Sequence, residues 1–253
     1  MSNNPTPSGP TMVMIPARRA ATRLPGKPLA EIAGEPMIVH VWRRAVEADL
    51  GPVLVATDDD DIVACVAAAG GRAVLTDPGH PSGSDRIYEA LQKVDPEGRV
   101  KIVVNLQGDL PNLDPVHIRR CAALVASSGA DIGTLVAEIH DDKERHDPSV
   151  VKAITAFENG ADEAVALYFT RATAPTGAGP LWHHIGIYTY TRSALARFVS
   201  LPPSPLERRE KLEQLRALEA GMTIRVARVD TVPIGVDTPA DLDEARAVMT
   251  KKP

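Results

Sequence analysis

The sequence predicts an α/β fold: a doubly wound, mostly parallel sheet with a smaller strand-and-helix insertion. Three observations predict it. Apolar runs of strand length alternate with amphipathic stretches of helix length through the first 140 residues. Short Gly-, Pro- and Asp-rich turns separate them, as strand–helix–strand crossovers require. The chain has 253 residues, 44% hydrophobic and 24% charged, enough to bury a core beneath such a sheet.

Taken in order, "MSNNPTPSGP" is polar and proline-rich and reads as a disordered tail over 1–11, with one domain over 12–249. Strands are expected at 12–15, 52–57, 72–76, 101–106 and 131–139. Helices are expected at 36–48, 60–70, 84–94 and 114–127. In the first helix Met37, Ile38, Val41, Trp42, Ala45 and Val46 fall on one apolar face. Asp114 suits an N-cap ahead of Pro115, and Ser84 suits the same role for the third helix. After 140 the rhythm changes. Strands are expected at 150–157, 163–169 and 184–191, a Gly/Pro-rich gap at 171–180, helices at 192–200 and 206–221, a strand at 223–229 and a closing helix at 238–249. The organisation read from this is 12–140, an insertion over 141–222, and a closing strand and helix over 223–249.

Composition excludes several classes. A net charge of −5 with no long basic stripe argues against a nucleic-acid binder. Cys65 and Cys121 fall in helical stretches without metal-ligand spacing and read as free thiols. No run is apolar enough for a signal peptide or a membrane span, so a cytoplasmic protein is expected. No G-x-G-x-x-G follows the first strand, which argues against a dinucleotide-dependent dehydrogenase.

Charge is instead concentrated. Directly after the first strand, "PARRAATRLPGKPL" places Arg18, Arg19, Arg23 and Lys27 among prolines and a glycine. Open α/β sheets bind ligands at the carboxyl ends of their strands. Arginine forks and a mobile lysine there suit phosphate oxygens better than a plain solvated turn requires. The loop is not a Walker A motif, because Pro28 follows Gly26-Lys27.

Other polar motifs also follow strands. "ATDDDD" (56–61) reads as helix capping. "HPSGSDR" (80–86) offers hydroxyl and backbone groups at Ser82 and Gly83, with Arg86 as a further cation. "NLQGDLP" (105–111) sets Asp109 at a strand end, where a carboxylate can share Mg²⁺ with phosphates or simply cap a turn. "PIGVDTPADL" (233–242) presents Asp237 after a short apolar run, where it fits a helix cap equally well.

The segment "MIPARRAATRLPGKPLAEIAGEPMI" resembles the signature of the 3-deoxy-manno-octulosonate (KDO) cytidylyltransferases. The resemblance continues in order through "VATDDDDI", "HPSGSDRI", "VVNLQGDLP", "VALYFTRA", "HHIGIYTYTRSAL", "SPLERREKLEQLRALEAG" and "GVDTPADL", covering essentially 12–249. The first motif is shared with related nucleotidyltransferases; "HIGIY" and "KLEQLRALE" are more particular. One position departs, Leu110, where the family pattern has Glu.

The resemblance implies a fold of the nucleotide-diphospho-sugar transferase type, a homodimer, and Mg²⁺-dependent coupling of CMP from CTP to KDO for lipopolysaccharide synthesis, with pyrophosphate released. Arg18, Thr22, Arg23 and Lys27 match positions contacting the triphosphate, with Arg18, Arg23, Lys27, Asp109 and Asp237 implied in catalysis. Ser82, Gly83 and Arg86 match the region reading cytosine and ribose. Asp109 and Asp237 match the metal carboxylates. Arg171, His184, Tyr188, Glu213 and Gln214 match the acceptor-sugar site, with Gln107 serving both substrates. The alternatives are a cytidylyltransferase for another acid sugar, such as a sialic acid, or a non-catalytic nucleotide-binding module on the same fold.

Overall fold

In a computed structural model, residues 10–20, 24–158 and 160–250 are described. The described residues form two compact units, one of 10–119 with 233–250 and the other of 120–232. These boundaries differ from the changes of rhythm read in the sequence at 140 and 222.

The first unit is built on strand β1 (Thr11–Ala17), whose side chains are almost all buried. This suits a parallel strand covered on both faces. A small ladder, β2 (Glu31–Ile32) and β3 (Glu35–Pro36), follows, then β4 (Val53–Thr57), β5 (Ala73–Leu75) and β6 (Ile102–Leu106). β4 and β6 flank β1 and β5 lies beyond β4, with every pairing parallel. Crossovers run through α1 (Met37–Glu47), α2 (Asp60–Ala68) and α3 (Gly83–Val94), and α4 (Pro115–Ser128) begins after β6.

Local chemistry sets these helix starts. Asp59 caps α2 by accepting from the Ile62 amide at 3.0 Å. Asp114 accepts from the Val116 amide at 2.8 Å ahead of Pro115. Helix α3 starts one residue earlier than expected and its cap lies two residues earlier: Ser82, and not Ser84, is the cap, and Ser84 is buried in the first turn. On α1 the buried face holds Met37, Ile38, Val39, Val41 and Ala45, whereas Val46 is exposed. The helix Pro239–Met249 is fixed by a capping box of Thr238 and Asp241. It packs Leu242 and Ala245 against Ile32, Met37 and Val236.

The second unit has mixed strand directions. β7 (Ile132–Glu138) pairs in parallel with β12 (Ile224–Val229) and antiparallel with β11 (Trp182–Thr191). β9 (Glu163–Val165) runs antiparallel to β12, β8 (Lys152–Ile154) to β11, and β10 (Tyr168–Thr170) to β8. Its helices are α5 (Asp142–His146), α6 (Arg192–Ser200), α7 (Pro205–Glu210) and α8 (Leu215–Glu219).

Two expectations change here. The strand read at 163–169 is divided because the chain changes neighbours: the Ala166 amide bonds to Ile224 and the next amide, Leu167, to Ile154. The helix read at 206–221 stops at Lys211, which adopts a left-handed conformation with φ 56°. Leu212 and Leu215 are buried across the break, and Arg216 folds back in a two-pronged pair with Glu207 at 2.5 and 2.8 Å. Tertiary packing overrides a strong local helix pattern.

Candidate active site

A cavity of about 300 Å³ in the first unit opens where the loops after β1, β5 and β6 meet. This is the carboxyl edge of the parallel strands, where the fold class concentrates its ligands. Its lining includes Pro16, Arg18, Lys27, His80, Ser82, Gly83, Arg86, Gln107, Asp109 and Asp237.

Three charges form its centre. Lys27 donates to Oδ2 of Asp109 at 3.1 Å and to Oδ1 of Asp237 at 3.0 Å. Lys27 lies on a short 3₁₀ turn, Lys27–Leu29, with Pro28 in its first positions. The basic loop is thus helical for one turn, because proline tolerates such a start. Burial works against the charge on Lys27, but attraction to Asp109 and then Asp237 outweighs it and holds the ammonium above its ordinary lysine value.

The two carboxylates are brought together by loop-to-loop hydrogen bonds. Asp237 does not follow a strand, since 230–238 is irregular. The segment is tied to the loop after β6 instead: the Val236 amide bonds to the Asp109 carbonyl at 3.0 Å, and the Ile234 amide to Asn112 Oδ1 at 2.9 Å. Nor does Asp237 cap the following helix, for Thr238 and Asp241 do so. Its carboxylate is turned to Lys27. Leu110, the departure from the family pattern, is buried, with Cδ2 4.0 Å from the position a Cβ on Gly235 would take. It packs where a Glu would carry a charge.

Two glycines keep backbone close to the cavity. A Cβ on Gly108 would stand 2.8 Å from the Pro16 carbonyl oxygen, and one on Gly83 would stand 3.0 Å from Pro16 Cγ. The amino end of α3 therefore reaches the cavity through Ser82 and Gly83, an arrangement that favours anions. Ser82 caps that end and also donates to Asp85 at 2.6 Å. Gln107 is oriented by its amide donating to Asn105 at 3.1 Å.

The cations divide into different roles. Arg18 is exposed at the cavity rim. Arg19 turns to the aspartates opening α2, pairing with Asp59 at 3.0 Å and with Asp61. Arg86, only 3% exposed, donates to Thr76 at 2.6 Å and pairs with Asp58 at 2.9 Å, so it braces the wall of the cavity as well as lining it. Thr22 and Arg23 lie outside the described residues. Sequence reading passed over His80, whose Nε2 contacts Glu89. Burial opposes ionisation of Glu89, but Lys93, the Asp77 amide and His80 outweigh it and hold the carboxyl at about 2.

The remaining expected residues lie in the second unit. His184 is buried on β11, its Nε2 3.0 Å from Thr134 Oγ1. Burial, helped by neighbouring His183, pushes its pKa down to about 3, so the imidazole is neutral. Thr134 donates to the Ile187 carbonyl at 2.7 Å, which leaves its oxygen to accept from Nε2–H. A register shift in β11 between Ile185 and Tyr188 brings the Tyr188 ring beside His184, with centroids 5.5 Å apart. Burial, with Tyr190 and Glu213 adding to it, raises the Tyr188 phenol well above its ordinary value. Gln214 is buried and its Nε2 has no hydrogen-bond partner among the described residues. Glu213 and Gln214 belong to the linker between α7 and α8. Arg171 is engaged elsewhere: its guanidinium donates to the Glu210 carbonyl at 3.0 Å and the Pro148 carbonyl at 2.9 Å.

Comparison with known proteins gives the family. A family model described as cytidylyltransferase matches residues 12–224. A relative from Rhodospirillum centenum, named 3-deoxy-manno-octulosonate cytidylyltransferase, is 65% identical over 238 residues, 94% of this chain and 93% of its own. One of the same name from Parvibaculum lavamentivorans is 62% identical over 97% of this chain and 95% of its own. The chain belongs to the 3-deoxy-manno-octulosonate cytidylyltransferase family. A solved CMP:2-keto-3-deoxy-manno-octonic acid synthetase complexed with CTP is 38% identical, with a TM-score of 0.87 over 95% of this chain and 98% of its own. A cytidylyltransferase from Leptospira borgpetersenii, 14% identical with a TM-score of 0.62, shares the fold. Membership of the KDO cytidylyltransferase family bears out the expected fold class and enzyme class, nucleotidyl transfer.

Proposed function

We propose that the cavity of the first unit is where this enzyme holds CTP while CMP is coupled to KDO. The anomeric hydroxyl oxygen of KDO bonds to the α-phosphorus, the bond from that phosphorus to the β-phosphate bridging oxygen breaks, and the hydroxyl proton passes to solvent. Products are CMP-KDO and pyrophosphate. The single observation that carries the siting is the convergence of Asp109 and Asp237 on Lys27 within a cavity rimmed by Arg18 and the start of α3. Such a transfer needs little covalent help from protein and mostly positioning and charge stabilisation. Arg18, Arg23 and Lys27 hold the triphosphate, with Thr22, and stabilise charge on the leaving pyrophosphate. Ser82, Gly83 and Gln107 orient the nucleoside, beside the wall braced by Arg86.

Asp109 and Asp237 would hold Mg²⁺. Two carboxylate oxygens already approach one cationic nitrogen at about 3 Å, and Mg²⁺ takes one or two carboxylates with phosphate and water oxygens completing the set. Bound with the phosphates, the ion supplies neutralisation of charge on their oxygens. In the second unit, neutral His184, Tyr188, Glu213 and Gln214 offer donors and acceptors to the hydroxyl and carboxylate groups of KDO, with the Gln214 amide in need of an acceptor. Arg171 braces that region through its carbonyl contacts. A homodimer acting in the cytoplasm on the route to lipopolysaccharide completes this reading; among the described residues no helix is long and apolar enough to cross a membrane.

The test is pyrophosphate release from CTP with a panel of acid sugars. KDO should support turnover with Mg²⁺ present and a sialic acid should not. Turnover with the sialic acid alone would replace the acceptor, and binding of CTP without turnover on any sugar would favour the non-catalytic reading.

A further inference from the structure

The two carboxylates proposed for the metal are bridged by a cation that belongs to the chain. Lys27 Nζ lies 3.1 Å from Asp109 and 3.0 Å from Asp237, with only 16% of its side chain exposed. Two carboxylates drawn together by the Val236–Asp109 backbone bond would repel each other, and the ammonium cancels much of that repulsion. A divalent ion drawing on the same two oxygens would face an ammonium close at hand, and the two cations cannot share the position. We infer that Lys27 is the stand-in for the metal, and that metal binding and triphosphate binding are coupled through its displacement from Asp109 and Asp237 to the phosphates. This rests on the proposed metal and triphosphate roles of these residues.

The chemistry supports the exchange. A lysine is a compact point charge on a stem with rotatable bonds, so it can leave one anion for another without moving the backbone. Its 3₁₀ turn is held by backbone hydrogen bonds, Lys27 to Leu24 and Ala30 to Lys27, that do not use the ammonium. The triphosphate supplies the alternative anion, so nucleotide relieves the carboxylates of their ammonium and the metal meets less opposition. By linkage the metal then strengthens nucleotide binding to the same degree.

Mn²⁺ binding to the full chain without nucleotide, followed by loss of the free-ion electron paramagnetic resonance signal, tests the exchange. Lys27→Met should bind Mn²⁺ at least ~10-fold more tightly than wild type, because a nearby positive charge is gone. Adding Asp109→Asn should abolish the gain. An affinity that Lys27→Met leaves unchanged or weakens, while Asp109→Asn and Asp237→Asn each lower Mn²⁺ binding in the presence of CTP, overturns the stand-in role alone. Binding with CTP that ignores both Asn variants overturns the metal reading itself. A second measurement needs no variant: acylation of Lys27 by an amine-reactive reagent, read by peptide mass, should speed up several-fold with Mg²⁺ alone. An unchanged or slower rate overturns the exchange.

Discussion

The ammonium of Lys27 lies 3.0 Å from Oδ1 of Asp237, a residue 210 positions further along the chain. Asp109 makes the matching contact from 82 positions away. Three distant segments therefore meet at one point, and each has its own anchor: the 3₁₀ turn for Lys27, the glycine-tight loop after β6 for Asp109, and the capped closing helix for Asp237.

Asp109→Asn or Asp237→Asn should each lower turnover by on the order of a hundredfold or more, comparable to removing one preorganised transition-state contact. The double variant should be little worse than the poorer single one, because groups acting as a unit are strongly non-additive. Steady-state kinetics with CTP and KDO decide this. Independent, multiplicative losses would mean that the two carboxylates do not serve one function.

Gly108→Ala should destabilise the first unit by about 1–3 kcal/mol and weaken CTP binding together. The added Cβ would meet a backbone carbonyl at 2.8 Å, which cannot rotate away, so the loop carrying Asp109 must move. Gly235→Ala is the control, since among the described residues its Cβ meets only Leu110 Cδ2 at 4.0 Å. Melting temperature and CTP affinity should fall in the first variant and hold in the second. Equal behaviour would sink the close-approach argument.

What the sequence disclosed depended on how local each signal was. Parallel strands β1, β4 and β6 were legible because buried parallel strands are continuous apolar runs. Helix α6 was legible because Thr191 caps it and its apolar face repeats regularly. The 211–214 break was not, since no Gly or Pro marks it and the long-range Arg216–Glu207 pair helps hold it. Helix α5 was missed because its DKERH segment buries nothing and has no apolar period. At the site, residue types after strand ends pointed to Lys27 and Asp109. Distinguishing Asp237 from a helix cap required seeing Thr238 and Asp241 take that role. The bracing of Arg86 by Asp58 and the Glu89–His80 contact depend on pairings that no local pattern encodes.

Arg86→Met should cost stability by about 3–5 kcal/mol, because it leaves the carboxylate of Asp58, itself only 12% exposed, without its guanidinium. Combining it with Asp58→Asn should restore part of the loss. Denaturant unfolding of the two single variants and the double variant gives the coupling. CTP affinity measured below the melting transition separates bracing from contact. Lost affinity at unchanged stability would assign Arg86 to nucleotide contact alone.

His184 supplies a pH dependence whose sign follows from its burial. Its folded pKa is about 3 against about 6.5 for an unperturbed imidazole. Between those values the unfolded chain binds a proton that the folded chain refuses, so stability rises with pH across that window. The contribution is fully present above about 6.5 and is lost as pH falls, at about 1.4 kcal/mol per unit, or about 2 kcal/mol by pH 5. Comparing wild type with His184→Gln isolates it, because carboxylates elsewhere titrate alike in both. Wild type should lose more stability than the variant between pH 7.5 and 5, whatever their absolute difference at pH 7.5. A direct check follows the ring resonances of His184, which should stay those of neutral imidazole, protonated at Nε2 facing Thr134, down to pH 5. A midpoint near 6.5, or parallel stability curves for the two chains, would mean that the imidazole is hydrated in solution and that the buried Thr134–His184–Tyr188 arrangement does not persist.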